Sequence, residues 1–403
     1  MKNFKFCLIV LIFFSATGSR PQSLPNSATK QYFKNLHDWL KDTVKVKAQL
    51  DSFATSPLDD VFDWQEITRQ AFSENWVNLS VFWQKRFTQA ARRRIIKLAT
   101  ADLIRLRSFL TQKDIRWDEE SINKDRAKTS FDIIRNNDIE KVNLRIVLSD
   151  ETWKVYDIRM QNFRLIRDVL GRFDDLITNG FNHEYVEAVM MNDSTFTIDN
   201  FNANESGDHP KLWGWRKKDD DEMRVNMKLY RIEKENENFY LSAQGNDGSI
   251  ALVKPFSYNI KEYPYLSWRW RIREFPASKG NYQTPSRAAE IAVIYYQNWL
   301  GIPITLHYVW DSQASSCSTI RQEGFLFDSY VKVVRTESIS SDEWFEENVN
   351  PFEDYRRIFG EDPPEQIIGI YLNLGSSSHS LTSKADFDDF VVKKATNSPS
   401  CTK

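Results

Sequence analysis

Between Ser80 and Leu110 an apolar residue returns every three or four positions. Phe87, Ala91, Ile95, Leu98, Leu103, Leu106 and Leu110 fall on one face of a 3.6-residue period, which predicts a long amphipathic helix. Phe33, Leu36, Leu40 and Val44 repeat that spacing upstream, so the segment from Thr29 to about Leu110 reads as helical. The period then drops to two. Ala127, Thr129, Phe131 and Ile133 alternate with polar neighbours, as do Val142, Leu144, Ile146 and Leu148, and TWKVYDIRM from Thr152 reads as a third strand. The links NNDIE and SDE are polar turns, so the strands form an antiparallel meander. The stretch NFRLIRDVLGRFDDLIT returns to helical spacing and ends at Asn179-Gly180, a helix-stop signal. Helices followed by a curled antiparallel sheet make an α+β domain, placed at residues 28–191.

Beyond Met191 the pattern is of short strands separated by polar turns, among them YLSWRWRI, AEIAVIYY, ITLHYVWD, YVKVVRT and DFDDFVVKK. Many short strands without long intervening helices predict an all-β antiparallel sandwich, placed at 195–395. Within it, Trp268, Trp270 and Ile272 lie on one face of a strand and Arg269, Arg271 and Arg273 on the other. The first face belongs to a core. The second, with Trp213, Trp215 or Trp310 nearby, offers a stacking and hydrogen-bonding surface for glycans, with Arg269, Arg271 and Trp310 as its candidate residues, or else pairs with carboxylates across the sheet.

Length, charge and the first residues narrow the setting. The 403 residues suit two domains, and 41% hydrophobic with 27% charged residues describes a globular chain. A net charge of −2 argues against nucleic acid as a partner. Lys2 and Lys5 precede an apolar run from Phe6 to Phe14, followed by Ala16-Thr17-Gly18, the pattern of a cleavable export signal over residues 1–18. Such a run is too short for the ~30 Å of a bilayer's hydrocarbon. Without Cys7, the remaining Cys317 and Cys401 either pair in an oxidising compartment or stay as two free thiols.

Catalytic chemistry finds little support. His37, His183, His209, His307 and His379 are scattered without metal spacing, and no activated-nucleophile motif occurs. The neighbours Glu346-Glu347 and Asp388-Asp389 should point apart on a strand, which suits acid–base pairing poorly. The run Lys217–Glu222 reads as a hairpin turn, with calcium a minor alternative. Neither catalytic residues, metal nor cofactor are expected, although a hydrolase using the sandwich face stays open. The basic residues Lys85, Arg86, Arg92, Arg93, Arg94, Lys97, Arg105 and Arg107 make the polar face of the long helix either a solvated surface or a patch for anionic lipid, and three consecutive arginines cannot all share one patch.

Two stretches carry a resemblance. Phe62, Asp63, Trp64, Trp76, Ser80 and Phe87 fall without a gap on a pattern of the MlaC family, also called the toluene-tolerance auxiliary family. Trp153, Lys154, Val155, Tyr156 and Asp157 match that family's strand outright, and Leu165, Phe173 and Ile177 match its following helix in kind. The chain departs from the pattern at Ser73, Trp83, Arg164 and Asp168-Val169-Leu170. The resemblance implies a periplasmic phospholipid carrier that shuttles lipid between an outer-membrane lipid complex and an inner-membrane lipid ABC transporter. Acyl chains are then expected along Phe72, Trp76, Phe87, Leu103, Leu106, Phe131, Leu144, Ile146, Val155, Leu165 and Val169, with Phe131, Leu144, Ile146 and Val155 pointing from the sheet toward the helices. The alternative is that these residues fill a solid core. Further on, LSWRWRI, HYVWD and NPFEDYRRIFGEDPPEQIIGIYLNLG resemble an uncharacterised exported bacterial family with a jelly-roll sandwich, which implies architecture and no activity. A cell-envelope glycan-binding module remains the alternative reading of the whole.

Overall fold

The computed structural model describes residues 57–106, 115–118, 120–135, 138–161, 163–215, 229–245, 251–276, 287–322, 329–337, 340–374, 383–395 and 400–401. The expected export signal, the helical repeat at 33–44, Leu110 and the acidic turn at 217–222 lie outside these residues. The chain divides into two compact units, Met1–Asn192 and Asp193–Lys403. No helix among the described residues is long and apolar enough to cross a membrane.

In the first unit, helix α1 (Trp64–Phe72) starts where the Asp63 carboxylate accepts a hydrogen bond from the Glu66 N–H at 2.8 Å. It buries Ile67, Thr68, Ala71 and Phe72. After a 3₁₀ turn at Ser73–Asn78 comes α2 (Val81–Leu106), the long helix that the apolar repeat predicts after Ser80. Strands β1 (Ile115–Trp117), β2 (Ser121–Asn123), β3 (Arg126–Arg135), β4 (Asp138–Ser149), β5 (Thr152–Met160) and β6 (Phe163–Arg164) form one antiparallel sheet in the order β1-β3-β4-β5-β6, with β2 also on β3. Strands β3 and β4 follow the period-two pattern over residues 127–131 and 142–146, whereas Leu148, expected inward, is exposed. Strand β5 breaks it, burying Val155, Tyr156, Asp157 and Ile158 in succession where its pairing with β4 shifts register. The other three, of two or three residues each, are too short to show any alternation.

One expected helix begins later than its spacing suggests. Phe163 and Arg164 pair back onto Met160 and Arg159, so the chain turns helical only at Leu165. The first turns are a π-helix (Ile166–Leu170), whose Asp168 carboxylate accepts from the Arg164 N–H at 2.8 Å. A Cβ at Gly171 would stand 2.9 Å from the Arg167 carbonyl oxygen, so this crossing into α3 (Arg172–Thr178) requires glycine. The stop at Asn179-Gly180 is followed by a further helix, α4 (His183–Met191), which the pattern had not separated.

The second unit holds two sheets. The six-stranded sheet contains β7 (Thr195–Asp199), β9 (Tyr230–Glu235), β10 (Asn238–Gly245), β12 (Tyr265–Glu274), β17 (Phe345–Val349) and β19 (Ser383–Lys393). The seven-stranded sheet contains β8 (Gly214–Trp215), β11 (Leu252–Pro255), β13 (Arg287–Gln297), β14 (Pro303–Asp311), β15 (Thr319–Gln322), β16 (Ser329–Arg335) and β18 (Gly369–Leu374). Trp268 and Trp270 of the first sheet meet Tyr308 and Trp310 of the second at centroid distances of 6.0 and 5.6 Å, and all four are buried. Pairing is antiparallel except between β14 and β16, because β16 lies between its hairpin partner β15 and β14. A short helix, α5 (Pro351–Phe359), is capped by Asn350 and closed by Gly360 at φ 77°.

The two cysteines left open by the sequence are joined. Cys317 and Cys401 form a disulfide with a Cα separation of 5.1 Å, 84 residues apart. Beside it, Ser400 Oγ donates to the buried Glu347 carboxylate at 2.8 Å and its N–H donates to the Asn348 carbonyl. The disulfide therefore fastens the chain's last described residues to the turn before β15, and Ser400 fastens them to β17. Closing a loop of this length restricts the unfolded chain by ~4–5 kcal/mol. Cys401→Ser should lower the second unit's resistance to urea by that amount, and reductant should do the same to the natural chain. Unchanged unfolding midpoints in both experiments would remove the bond from the stability of this unit.

Candidate functional site

Strand register fixes one apolar face in the first unit. Ala127 is opposite Ile146, and Ile146 opposite Val155; Thr129 is opposite Leu144, and Leu144 opposite Ile158; Phe131 is opposite Val142. Directly opposed residues share a face, so Phe131, Leu144, Ile146 and Val155 lie together, each at most 1% exposed. Trp117 of β1 extends this face, its ring 4.8 Å from that of Phe131. On the other side of β5, the Val155 N–H donates to the Val61 carbonyl at 2.8 Å, and the Asp63 N–H donates to the Val155 carbonyl at 3.0 Å. The start of α1 is thereby tied to the sheet's edge.

The helices supply a second apolar group. The Phe72 ring stacks on Phe87 at 4.8 Å and meets Trp76 at 6.4 Å, joining α1 to α2. Trp83 packs on both Phe87 and His183, at 5.4 and 4.9 Å. Leu165 and Val169 are buried, at 1% and 6% exposure. Leu103 and Leu106 lie on α2, but their side chains are outside the described residues. Thus nine of the eleven expected acyl-lining side chains can be placed, and all nine are buried: four on the sheet's face, and five among the helices and the turn after β6.

The basic face of α2 is not one patch. Arg92 pairs with Asp59 at 2.6 Å, which also accepts from the Trp64 indole N–H at 2.8 Å. Arg86 donates to Glu187 at 2.9 Å. Arg94 turns inward and donates to the carbonyls of Met190 at 3.0 Å and Val169 at 3.3 Å, closing the end of α4. Burial lowers its pKa, and the nearby Arg172 adds to the effect. Lys85, Arg93 and Lys97 stay exposed. The sequence could have pointed to Arg94, which stands seven residues after Phe87 and three after Ala91, on the buried stripe. At α1, burial pushes the Glu66 carboxyl up, but hydrogen bonds from Arg69 and Arg126 outweigh it and hold the pKa at about 2.

In the second unit, the expected glycan-facing residues are differently employed. Trp310 is fully buried, its indole N–H donating to the Glu337 carbonyl at 2.7 Å, so it cannot stack on an external sugar. Arg271 is 1% exposed and bound to Asp386 at 2.8 Å. Arg269 pairs with Asp388 at 2.8 Å. The arginine face therefore takes the carboxylate-pairing alternative. Asp388 and Asp389 also depart from the expectation that they point apart: Asp389 adopts φ 49°, and both carboxylates lie 2.8 Å from Arg269 nitrogens. Glu346 and Glu347 do diverge, the exposed Glu346 reaching the half-buried Lys393 and the buried Glu347 the half-buried Arg335.

With the two apolar groups of the first unit in place, comparison with known families becomes informative. Residues 26–190 match the family described as MlaC protein. Residues 214–391 match a second family, described as a protein of unknown function, DUF3047. The chain thus joins a segment similar to MlaC to a segment similar to DUF3047. Among solved structures, a phospholipid-binding protein from Ralstonia solanacearum in complex with a phospholipid is 14% identical, covers 42% of this chain and 95% of its own, and has a TM-score of 0.36. The endoglucanase cel12A from Rhodothermus marinus is 13% identical over 50% of this chain and 92% of its own, with a TM-score of 0.25. No curated protein matches the sequence.

Proposed function

We propose that the MlaC-like unit is a lipid carrier, which takes the acyl chains of a phospholipid between the inward face of its sheet and its helices. The match of residues 26–190 to MlaC carries this reading. The physics supports it. Each acyl methylene buried gains ~0.8 kcal/mol, so a diacyl lipid crosses water only with an apolar escort. Phe131, Leu144, Ile146 and Val155 supply one apolar wall, and Phe72, Trp76, Phe87, Leu165 and Val169 another, with Leu103 and Leu106 further along α2. Since the nine placed side chains are at most 6% exposed, acyl chains reach them by parting the layers that cover them. The headgroup keeps its hydration at the mouth. On this reading the chain works in the periplasm, exchanging lipid between an outer-membrane complex and an inner-membrane lipid transporter, and the β-sandwich is an accessory module. Native mass spectrometry of the chain purified from cells tests it. A bound mass in the phospholipid range is expected, and a bare protein mass that takes up no lipid from liposomes would sink the proposal.

A further inference from the structure

The opposite face of the same sheet carries a feature that acyl-chain carriage does not use. A cavity of about 360 Å³ lies there, and none of its lining residues is acidic. Three are cations, Lys128, Arg145 and Arg159; Ser121 and Asn143 add a hydroxyl and an amide, while the Ser130 hydroxyl donates to Asp118 at 2.7 Å. Thr129 and Leu144 also line it, though their side chains belong to the inward face, which makes the strand backbone its floor.

The pairing of charges on these strands sets two residues apart. Arg126 meets Glu66 at 2.9 Å, Lys141 meets Asp118 at 2.5 Å, and Arg159 meets Asp157 at 2.6 Å. Lys128 and Arg145 form no ion pair among the described residues, and they stand directly opposite each other on β3 and β4; Asp157, opposite Arg145 on β5, is engaged by Arg159 instead. Like charges at opposed positions, with Cβ atoms roughly 4.5–5.5 Å apart, repel and weaken a sheet. An anion held between them reverses that cost. Asn143 and Ser121 also have no side-chain partner among the described residues, so four donor groups converge on one hollow from three strands. A planar guanidinium, an ammonium and neutral donors arriving from different directions suit a tetrahedral group with several oxygens better than a planar carboxylate.

We propose that this outward pocket binds the phosphate group of a phosphate ester, with Lys128 and Arg145 as its charged clamp. The volume leaves room for a small alcohol substituent beside the phosphate, so a soluble ester and the headgroup of an anionic lipid share the required chemistry. The site is separate from the acyl-lining face, so its presence does not depend on lipid carriage.

The test uses the full chain and two double variants. Lys128→Ala with Arg145→Ala removes the clamp; Lys85→Ala with Arg93→Ala removes the same charge from exposed positions on α2. Calorimetric titration with glycerol 3-phosphate and co-sedimentation with phosphatidylglycerol vesicles form the two arms. The clamp variant should keep its thermal stability, since a repulsion is relieved, and should bind at least about tenfold more weakly in whichever arm the natural chain binds. The control variant should bind as the natural chain does. Binding in the titration marks a soluble ester as ligand, and binding only to vesicles marks a lipid headgroup. No binding in either arm, or equal weakening in both variants, overturns the proposal.

Discussion

Leu144→Trp should abolish co-purification of lipid while leaving the protein folded. Leu144 is 1% exposed and sits in the middle of the inward face, opposite Thr129 on one side and Ile158 on the other. An indole there occupies the path an acyl chain would take along β4. Overpacking costs ~1–3 kcal/mol, which a domain of this size can bear. Leu144→Ala provides the contrast. It removes packing atoms, costs ~2–5 kcal/mol if the surroundings do not collapse, and enlarges the space beside the sheet. The alanine variant should therefore be the less stable of the two and still carry lipid. If lipid loss merely tracked instability, alanine would lose it first. Lipid retained at natural levels by a folded Leu144→Trp protein would remove this face from the acyl path. Native mass spectrometry of the folded fraction, with circular dichroism as the check on folding, reads both outcomes.

How far these walls were legible follows from where the physics is local. The alternation over residues 127–131 and 142–146 could be read because one face of the sheet is buried, and a slip by one residue would expose every apolar side chain. Leu148, expected on that face, is instead 38% exposed and its neighbour Val147 is buried. Phe163-Arg164 could not be read, since two residues show no period and their pairing depends on the turn that returns them to β5. Arg94 was obscured by its own charge: three consecutive arginines suggest solvent, yet helical spacing puts this one on the buried stripe, where two backbone carbonyls satisfy it. The disulfide was undecidable from two cysteines 84 residues apart, because closure depends on a fold that brings them within 5.1 Å. In the sandwich, alternation correctly separated the tryptophan and arginine faces of β12, but it could not say what lies across from each arginine. That depends on the register with β19, a strand more than a hundred residues later.

That register underlies the largest stability effect expected in the second unit. Asp386 lies directly opposite Arg271 and is completely buried, accepting hydrogen bonds from the Nε atoms of Arg271 at 2.8 Å and Arg273 at 3.0 Å. Arg271 is held on its other sides by the rings of Trp344 and Tyr240, 4.4 and 5.0 Å from its guanidinium carbon. Burial opposes the charge on Arg271, and the Asp386 carboxylate outweighs that opposition and raises its pKa. Burial likewise pushes the Tyr240 hydroxyl up to about 12, with the Asp386 charge adding to it. Asp386→Ala leaves the guanidinium desolvated, with only the half-exposed Glu235 as a carboxylate partner among the described residues. Removing one member of such a buried pair costs ~3–5 kcal/mol, mostly through the charge left behind. Adding Arg271→Met to Asp386→Ala removes that stranded charge and fills its place with an apolar chain, so the double variant should be more stable than Asp386→Ala alone. Urea unfolding followed by tryptophan fluorescence measures all three proteins. An Asp386→Ala protein as stable as the natural chain would show that Arg271 finds water or another partner; a double variant that loses still more would show that Asp386 acts through packing and not through its charge.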